Sequence, residues 1–488
     1  MDARFSRITP ALLLFLVGTG AFITALDQTV VVTALPTIMV DLNVTITDLD
    51  RASWIITSYL LGYTIAMPLV GRMADVYGCA KVYKIALIIF IFGSVLVAVS
   101  SSLEWMVVAR FIQAAGGGAT VPVGMAITAL LLPSKLRGLA LGIIAGAAEA
   151  GSMLGPIYGA AILEMANWRW IFWLNVPQAL ILLATFMILP NSKTYEGHVD
   201  YIGALLMLLM LASATIGLSQ KSLFNGFSAV GLVLLSCGLL FCFALLIQQK
   251  KSEAPLFPRH LFTSVTFISI NIAQLLIGGA LIVAMVTVPL MANTVMGKDA
   301  TTGALWLLRM TLLIPVGAVL GGLVLVWINA KWITIAGLTV AAFGLYLMSG
   351  WQLTLNDATL TLHLAITGFG FGLVISPILT TALSVVGDNY WATAAALVVV
   401  ARMLGMTLGL AALAAWGVGH FEVLTSAIQF PILEIGQPAH EFEEQLWHYN
   451  NQVLLSGLSI FHNFLRFAAV TLLIAILPSL LVSDRRRV

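Results

Sequence analysis

The chain alternates long apolar stretches with short polar breaks over its whole length. Most stretches reach the roughly 20 residues that an α-helix needs to cross a bilayer, so each is predicted to be a membrane-spanning helix. The pattern therefore predicts an all-α polytopic membrane protein with fourteen transmembrane helices. Numbered in chain order, the apolar segments cover residues 10–34, 52–71, 82–100, 105–130, 138–162, 170–190, 201–220, 228–248, 263–293, 303–328, 332–351, 361–385, 392–420 and 453–482.

Two polar breaks divide these segments into groups of six, two and six. Residues 190–200 read PNSKTYEGHVD, and residues 249–262 read QKKSEAPLFPRHLF. Both stretches have the proline and charge content of linkers. We therefore predict a six-helix half over residues 1–190, an inserted helix pair with its linkers over 191–262, and a second six-helix half over 263–488.

Composition agrees with a membrane protein and narrows its chemistry. The chain is 60% hydrophobic and 9% charged, whereas soluble domains are about 25% charged. The net charge of +2 gives no reason to expect nucleic acid binding. The three cysteines lack the spacing of a metal site or a disulfide framework, and no histidine lies among acids inside a segment. We expect no metal, no cofactor and no enzyme activity.

The lysines and arginines predict the orientation of the chain. If the N-terminus is cytoplasmic, most of these residues fall in breaks on the cytoplasmic side. The outer breaks then hold Arg51, Arg169, Lys221 and Lys298. Short loops rich in lysine and arginine are typical of the cytoplasmic side of a membrane. Both termini are therefore predicted to be cytoplasmic.

Four charged residues lie deep within apolar segments, namely Asp27, Arg110, Glu149 and Arg402. A charge at such depth is costly unless it is paired or hydrated, so it usually serves a function. Two acids and two arginines can pair in more than one way, and protonating an acid would release its arginine. We interpret the four as a proton-coupling set in which protonation of Glu149 or Asp27 weakens a bridge to Arg402. Fixed structural ion pairs are the alternative.

Segment 5 combines its acid with a regular pattern of small residues. Glycines recur at four-residue spacing in two tracks, which predicts close approach of neighbouring helices. Pro156 removes a backbone donor and is expected to bend or loosen the helix. We therefore predict that segment 5 moves during the working cycle. The glycines are Gly142, Gly146, Gly151, Gly155 and Gly159.

The break between segments 2 and 3 reads GRMADVYGCAKVYK over residues 71–84. Two glycines are expected to allow tight turns, with Asp75 just after the helix. With the nearby basic residues, Asp75 is predicted to form a clasp that locks two helices on the inner face in one state. A loop held only by its positive charge is the alternative. The residues of this predicted inner gate are Gly71, Arg72, Asp75, Gly78 and Lys81.

The outer break over residues 420–453 is long and contains acids but no lysine or arginine. Segment 13 begins near Ala392 and needs roughly 20 residues to cross the hydrocarbon core. Its apolar pattern nevertheless continues to Phe421. We predict that segments 13 and 14 project beyond the membrane on the outer side. A simple solvated loop is the alternative.

Four stretches together resemble motifs of the major facilitator superfamily, in particular of its fourteen-helix drug/proton antiporter branch. Residues 26–36 resemble its helix 1 motif, residues 71–84 its inner-loop motif and residues 110–116 its helix 4 motif. Residues 151–160 resemble the exporter motif of helix 5, which implies outward transport. The exporter-motif residues are Gly151, Gly155, Pro156 and Gly159. The chain departs from the branch at Val32, Ala114 and Ala160.

Within this superfamily, the sequences around Asp27, Glu149 and Arg402 resemble the mycobacterial lipid exporters. This resemblance implies proton-coupled secondary active export of triacylglyceride-like lipids by alternating access, in the inner membrane of a bacterial cell. The partners that it implies are a hydrophobic substrate, protons and a periplasmic lipid-carrier lipoprotein. The few polar groups in the segments agree with a very hydrophobic substrate. A multidrug/proton antiporter is the alternative function.

Overall fold

The computed structural model describes residues 9–44, 49–52, 54–188, 199–218, 229–252, 255, 261, 263–426, 428, 430–431 and 438–482. All regular secondary structure within these residues is helical. Thirteen of the helical stretches described are long and apolar enough to cross a membrane, and Tyr201–Ala214 is a shorter apolar helix. The prediction of an all-α polytopic membrane protein is therefore confirmed.

The helices follow the predicted segments closely. The first eight are α1 (Pro10–Asp41), α2 (Trp54–Tyr77), α3 (Cys79–Ala98), α4 (Leu103–Leu131), α5 (Ser134–Met165), α6 (Arg169–Ile188), α7 (Tyr201–Leu218) and α8 (Ala229–Lys251). The remaining seven are α9 (Val265–Thr294), α10 (Ala300–Thr311), α11 (Leu313–Val324), α12 (Ala330–Met348), α13 (Asp357–Val385), α14 (Trp391–Thr425) and α15 (Ala439–Leu480). One helical turn, Leu49–Ala52, precedes α2, and a 3-10 turn, Asp388–Tyr390, precedes α14.

Segment 10 consists of two helices, α10 and α11, which meet at Leu312. Pro315 has no backbone N–H to donate to the carbonyl of Thr311, four residues earlier, so the hydrogen-bond ladder is interrupted there. Segments 1–9 correspond to α1–α9, and segments 11–14 correspond to α12–α15. The fourteen predicted segments therefore appear as fifteen helices in the described part of the chain.

The structure corrects the predicted end of segment 2. α2 continues to Tyr77, so Gly71 and Asp75 lie inside the helix and not in a loop. Gly71 serves helix packing, because an added Cβ would lie 2.9 Å from the Ala392 carbonyl oxygen of α14. The turn into α3 occurs at Gly78, whose φ of 94° lies in the left-handed region that favours glycine.

The helices pack mainly within two groups, α1–α6 and α9–α15, and each group comprises six of the predicted segments because α10 and α11 together form segment 10. In the first group, α1 packs against α5, α2 against α4, and α3 against α4 and α6. In the second group, α9 packs against α14 and α15, and α13 against α11 and α12. The pair α7 and α8 packs against the side of α2, where Leu61 and Ile65 meet Met207 and Leu211. The predicted boundaries at residues 190 and 262 lie outside the described residues.

A first glycine track on α5 joins the two halves of the molecule. Gly138 begins the track, and Gly142 continues it beside Ala318 of α11. An added Cβ on Gly146 would lie 3.3 Å from the Pro315 carbonyl oxygen. Because α5 belongs to the first half and α11 to the second, this track brings the backbones of the two halves into close contact.

A second glycine track on α5 packs against α1, within the first half. An added Cβ on Gly155 would lie 2.8 Å from the Leu26 carbonyl oxygen. One on Gly159 would lie 2.9 Å from the Val30 carbonyl oxygen, and Gly151 continues the same track. The two predicted tracks therefore have different partners, one in each half.

The ends of the helices on one side of the bundle carry Lys81, Lys135 and Lys251, and we call it the basic side. Near this side, α14 residues such as Ala395 and Val398 are fully buried. Beyond Arg402, towards the opposite side, Leu408 and Leu410 are exposed. The two halves are therefore closed together on the basic side, and surface exposure begins at about the level of Arg402.

Replacing Gly155 by valine should lower the stability of the protein, because the new side chain would overlap the α1 backbone. Overpacking of this kind costs about 1–3 kcal/mol. Thermal unfolding of the purified protein in detergent would measure the loss as a lower melting temperature. Ala160→Val is the matched control, since Ala160 is exposed on the same helix. Equal melting temperatures for the two variants would contradict the close packing at Gly155.

Candidate functional site

Asp27 forms a buried ion pair with Arg110 inside the first half. The Arg110 Nη1 atom donates to Asp27 Oδ2 at 2.7 Å, and Nη2 donates to the Asp27 backbone carbonyl at 3.2 Å. Both side chains are 0% exposed. The pair joins α1 to α4 and neutralises two charges that the apolar surroundings could not hold singly.

Two amide side chains complete the environment of the Asp27 carboxylate. Asn175 Nδ2 of α6 donates to Asp27 Oδ1 at 2.5 Å, and Gln113 Nε2 of α4 donates to the same oxygen at 3.1 Å. Gln113 also accepts from Arg110 Nη1 at 2.8 Å and donates to Ser94 Oγ of α3 at 2.9 Å. The carboxylate therefore binds donors from α4 and α6, and the network extends to α3.

Aromatic rings stabilise the charge of Arg110 independently of its carboxylate partner. The guanidinium carbon lies 4.1 Å from the centroid of the Tyr59 ring and 5.5 Å from that of the Phe172 ring. The Tyr59 hydroxyl is itself held by donation to the Thr24 carbonyl at 3.0 Å. A desolvated cation–π contact contributes about 2 kcal/mol. The guanidinium group is thus stabilised by more than its ion pair.

Glu149 and Arg402 form a second ion pair, and this pair connects the two halves. Arg402 Nη1 of α14 lies 2.5 Å from Glu149 Oε1 of α5. The two side chains are 16% and 17% exposed, in contrast to the sealed Asp27 pair. On the basic side of this level, Tyr63 and Met67 of α2 pack with Val400 of α14 in a buried apolar layer.

The glycines that follow Arg402 hold α14 against α9. An added Cβ on Gly409 would lie 2.7 Å from the Gly279 carbonyl oxygen. Gly405 lies in the same way against Leu275. This contact fixes the helix that carries Arg402 to the second half, so a shift of Arg402 relative to Glu149 requires a shift between the halves.

Asp75 closes the basic side by binding the beginning of α14. Its Oδ1 accepts from the Ala392 backbone N–H at 3.0 Å, and its Oδ2 accepts from the Thr393 N–H at 2.9 Å and from Thr393 Oγ1 at 2.5 Å. The first N–H groups of a helix lack partners within the helix and carry partial positive charge. The clasp predicted between Asp75 and basic residues is therefore replaced by a cap on a helix of the other half.

Two arginines of the first half contact aromatic rings at the same junction. The guanidinium carbon of Arg72 lies 5.1 Å from the Tyr390 ring centroid, and that of Arg137 lies 4.7 Å from the Trp391 ring centroid. Lys81 is exposed at the beginning of α3. Of the predicted inner-gate residues, Gly71, Arg72 and Asp75 contact the second half, whereas Gly78 makes the turn.

The exporter-motif residues attach α5 to the helix that carries Asp27. Pro156 lies inside α5, which nevertheless runs as one helix. Proline has no N–H to donate to the carbonyl four residues earlier, which here belongs to Ser152. Thr29 Oγ1 of α1 donates to that carbonyl at 2.7 Å. The carbonyl released by the proline is therefore satisfied by the neighbouring helix.

The structure separates the four deep charges into two independent pairs. The sequence left open whether Glu149 or Asp27 pairs with Arg402; in this structure Arg402 pairs with Glu149, and Arg110 pairs with Asp27. Asn175 and Thr393 were missed as site residues. The signal available for Asn175 was an amide within apolar segment 6, which it shares with Gln178, whereas Thr393 had no such signal. Among the described residues, no group of three or more histidine, cysteine or acidic side chains could hold a metal ion.

Two helical halves of six segments each, closed on one side and joined by an ion pair, are the architecture of a multi-pass membrane transporter. Residues 17–410 match the family model described as Major Facilitator Superfamily, and the chain belongs to this family. The motif-based expectation for the fold is therefore confirmed. The family also indicates a transporter and not an enzyme.

Several curated relatives of this chain carry the name triacylglyceride transporter. The chain is 37% identical to a triacylglyceride transporter of Mycolicibacterium hassiacum over 83% of this chain and 78% of that protein. It is 34% identical to the triacylglyceride transporter of Mycolicibacterium smegmatis over 94% and 85%. It is 31% identical to a probable triacylglyceride transporter of Mycobacterium leprae over 95% and 94%.

Solved structures support the fold alone. The human organic anion transporter MFSD10 matches with a TM-score of 0.63 and 15% identity, covering 98% of this chain and 100% of that one. The proton:xylose symporter XylE, bound to 6-bromo-6-deoxy-D-glucose, matches with a TM-score of 0.60 and 16% identity, covering 94% of each chain.

Breaking the Asp27–Arg110 pair from one side should destabilise the protein strongly. Asp27→Leu or Arg110→Leu alone leaves a buried charge without its partner, which costs about 3–5 kcal/mol. The double variant removes both charges, so its loss should be clearly smaller than the sum of the single losses. Thermal unfolding in detergent would measure this cycle. The same cycle on the exposed Arg51–Glu104 pair should give less than about 1 kcal/mol of coupling. Additive losses at the buried pair would contradict its coupling.

Proposed function

We propose that the protein is a proton-coupled secondary active exporter of triacylglyceride-like or similarly hydrophobic lipids. The names of the curated relatives support the substrate class, and the exporter motif on α5 supports the direction. The low content of polar residues in the apolar segments suits a hydrophobic substrate. The observation that carries the proposal is the Glu149–Arg402 ion pair between the two halves.

We assign the basic side to the cytoplasm, with both termini on that side of the inner membrane of a bacterial cell. The distribution of lysine and arginine supports this orientation. The structure then corresponds to a state closed towards the cytoplasm. In this state the partly exposed ion pair of Glu149 and Arg402 faces the outer compartment, from which protons enter.

In the proposed cycle, a proton from the outside neutralises Glu149 and weakens its ion pair with Arg402. Loss of this attraction favours rearrangement of the halves, which rock against each other in alternating access. The Asp75 cap and the first glycine track then separate on the cytoplasmic side. Asp27 and Arg110 act within the first half as a second proton-sensitive pair. The membrane potential supplies about 2.3 kcal/mol per charge for each 100 mV.

Glu149→Gln should uncouple lipid transport from the proton gradient, because glutamine keeps the shape of glutamate but cannot bind or release the proton. The measurement is transfer of a fluorescent triacylglyceride analogue out of proteoliposomes, with and without an imposed pH gradient. The wild type should respond to the gradient and the variant should not. Glu164→Gln is the control, since Glu164 is exposed near the end of the same helix.

Retained gradient dependence in Glu149→Gln would reject the coupling role of Glu149. Proteoliposomes that export a cationic dye but no lipid, in a manner that depends on Glu149 or Asp27, would favour the multidrug/proton antiporter. A buried carboxylate attracts a cation in a medium of low dielectric constant, which is the physical basis of that alternative.

We further propose that α14 and α15 project beyond the outer surface and receive a periplasmic lipid-carrier lipoprotein. The helices have 35 and 42 residues. At 1.5 Å per residue they are about 50 and 60 Å long, whereas the hydrocarbon core is about 30 Å thick. The beginning of α15 exposes Glu441, Glu443, Glu444 and Trp447. Of the other acids in this break, Glu434 lies outside the described residues.

Deleting residues 418–453, with a glycine–serine connection, should abolish lipid transfer and leave folding intact, because the buried core residues Leu458 and Ile460 are kept. Trp416 and Phe464 remain, and their rings pack 5.5 Å apart at the base of the projection. Transfer in the same proteoliposomes and thermal unfolding would be measured together. Full-rate transfer by the truncated protein would reject the proposed role. A full-length variant separates the contribution of charge from that of length; it carries Glu441→Gln, Glu443→Gln and Glu444→Gln together.

A further inference from the structure

The three side chains that bind the Asp27 carboxylate all act as donors. Arg110 donates to Oδ2, and Asn175 and Gln113 donate to Oδ1. A protonated carboxyl group has to donate its own O–H to an acceptor. A buried donor without a partner costs about 1–3 kcal/mol. The arrangement described therefore suits the charged carboxylate, and a protonated Asp27 needs a neighbour that can present an oxygen.

Gln113 is fixed in its present orientation from both ends. Its Oε1 accepts from Arg110 Nη1, and its Nε2 donates to Ser94 Oγ as well as to Asp27. Turning this amide over would place its NH₂ group against the Arg110 donor. Gln113 consequently cannot become the acceptor without losing its contact with the arginine.

Asn175 has no such restraint. Within the described part of the chain, its side chain makes one hydrogen bond, which is the bond to Asp27 Oδ1. The oxygen and the NH₂ group of an asparagine are nearly equal in size, so a half-turn of the amide exchanges a donor for an acceptor in the same place. The residue is 1% exposed, so water is not at hand to replace it.

We propose that Asn175 is a positioning residue whose amide turns over when Asp27 takes up a proton. In the charged state, Asn175 Nδ2 donates to the carboxylate. On protonation, a proton from the aqueous phase forms the O–H bond on Asp27 Oδ1, and this O–H donates to Asn175 Oδ1. No other bond forms or breaks, and the cluster gains one positive charge. The inference rests on the proposed proton coupling through Asp27.

The surroundings of the pair can hold this extra charge. Arg110 keeps its contacts with Gln113, with the Asp27 backbone carbonyl and with the rings of Tyr59 and Phe172. The charged or titratable groups that face Asp27 are Arg110 from α4, Tyr59 from α2 and Tyr158 from α5. The contributions of α3 and α6 are the neutral side chains Ser94 and Asn175. Among the described residues, protonation of Asp27 therefore leaves Arg110 as the charged side chain in contact with it.

Infrared difference spectra of the reconstituted full-length protein between high and low pH would test the inference. The wild type should gain a protonated carboxyl band that is lost in Asp27→Asn. In Asn175→Leu this band should shift to higher frequency, because the O–H has lost its acceptor. Asn271→Leu is the matched control, since Asn271 is a partly buried membrane amide that donates to the Phe267 carbonyl of its own helix. This control should leave the band unshifted.

An Asp27 band that is identical in the wild type and in Asn175→Leu would overturn the role of Asn175, while proton uptake by Asp27 would stand. Absence of any band that depends on Asp27 would overturn both proposals. Should Asn175→Leu fail to fold, the wild type labelled with ¹⁵N in its asparagine side chains gives the same test. A labelled amide band should then change with pH in the wild type and remain constant in Asp27→Asn, and a constant band in both would reject the inference.

Discussion

The structure depends on one constraint, which is that a charge inside an apolar bundle must be paired or hydrated. The two deep ion pairs satisfy it differently. Asp27 and Arg110 are sealed within one half and surrounded by amides and aromatic rings, so the pair survives any movement between halves. Glu149 and Arg402 are partly exposed and belong to different halves, so their pair exists only while those halves are close. The Asp27–Arg110 pair therefore stabilises the packing within the first half, whereas the Glu149–Arg402 pair depends on the distance between the two halves.

Helix α5 makes close contacts both within its own half and with the other half. Glu149 lies between its two glycine tracks, one of which packs on α11 of the other half and one on α1 of its own half. The second track is reinforced because Thr29 binds the carbonyl that Pro156 leaves free. If the halves separate on the basic side, α5 has to leave α11 while remaining attached to α1. The proline that suggested a bend thus contributes to attachment between helices.

The length of the apolar stretches predicted where the helices lie, because a bilayer requires apolar segments of nearly fixed length, but it did not predict the true end of segment 2 or the break within segment 10. Depth along those segments also identified the four charges, since few charges occur there. The pairing could not be predicted, because it depends on which helices are neighbours in three dimensions. Asp75 illustrates the limit: its acid was recognised, but its partners are two backbone N–H groups and the Thr393 hydroxyl at the beginning of α14, which have no signature in sequence.

The closure on the basic side consists of hydrogen bonds, cation–π contacts and backbone packing, and among the described residues it includes no ion pair between the halves. Asp75 binds neutral N–H and hydroxyl groups, Arg72 and Arg137 contact aromatic rings, and the glycine track is a backbone contact. Among the ion pairs in the described part of the chain, Glu149–Arg402 is the one that spans the two halves. Separating it would leave two poorly hydrated charges, and protonation of Glu149 removes one of them. Under the proposed coupling, a single proton therefore weakens the ion pair that spans the two halves, and opening also requires the Asp75 cap, the two cation–π contacts and the first glycine track to separate.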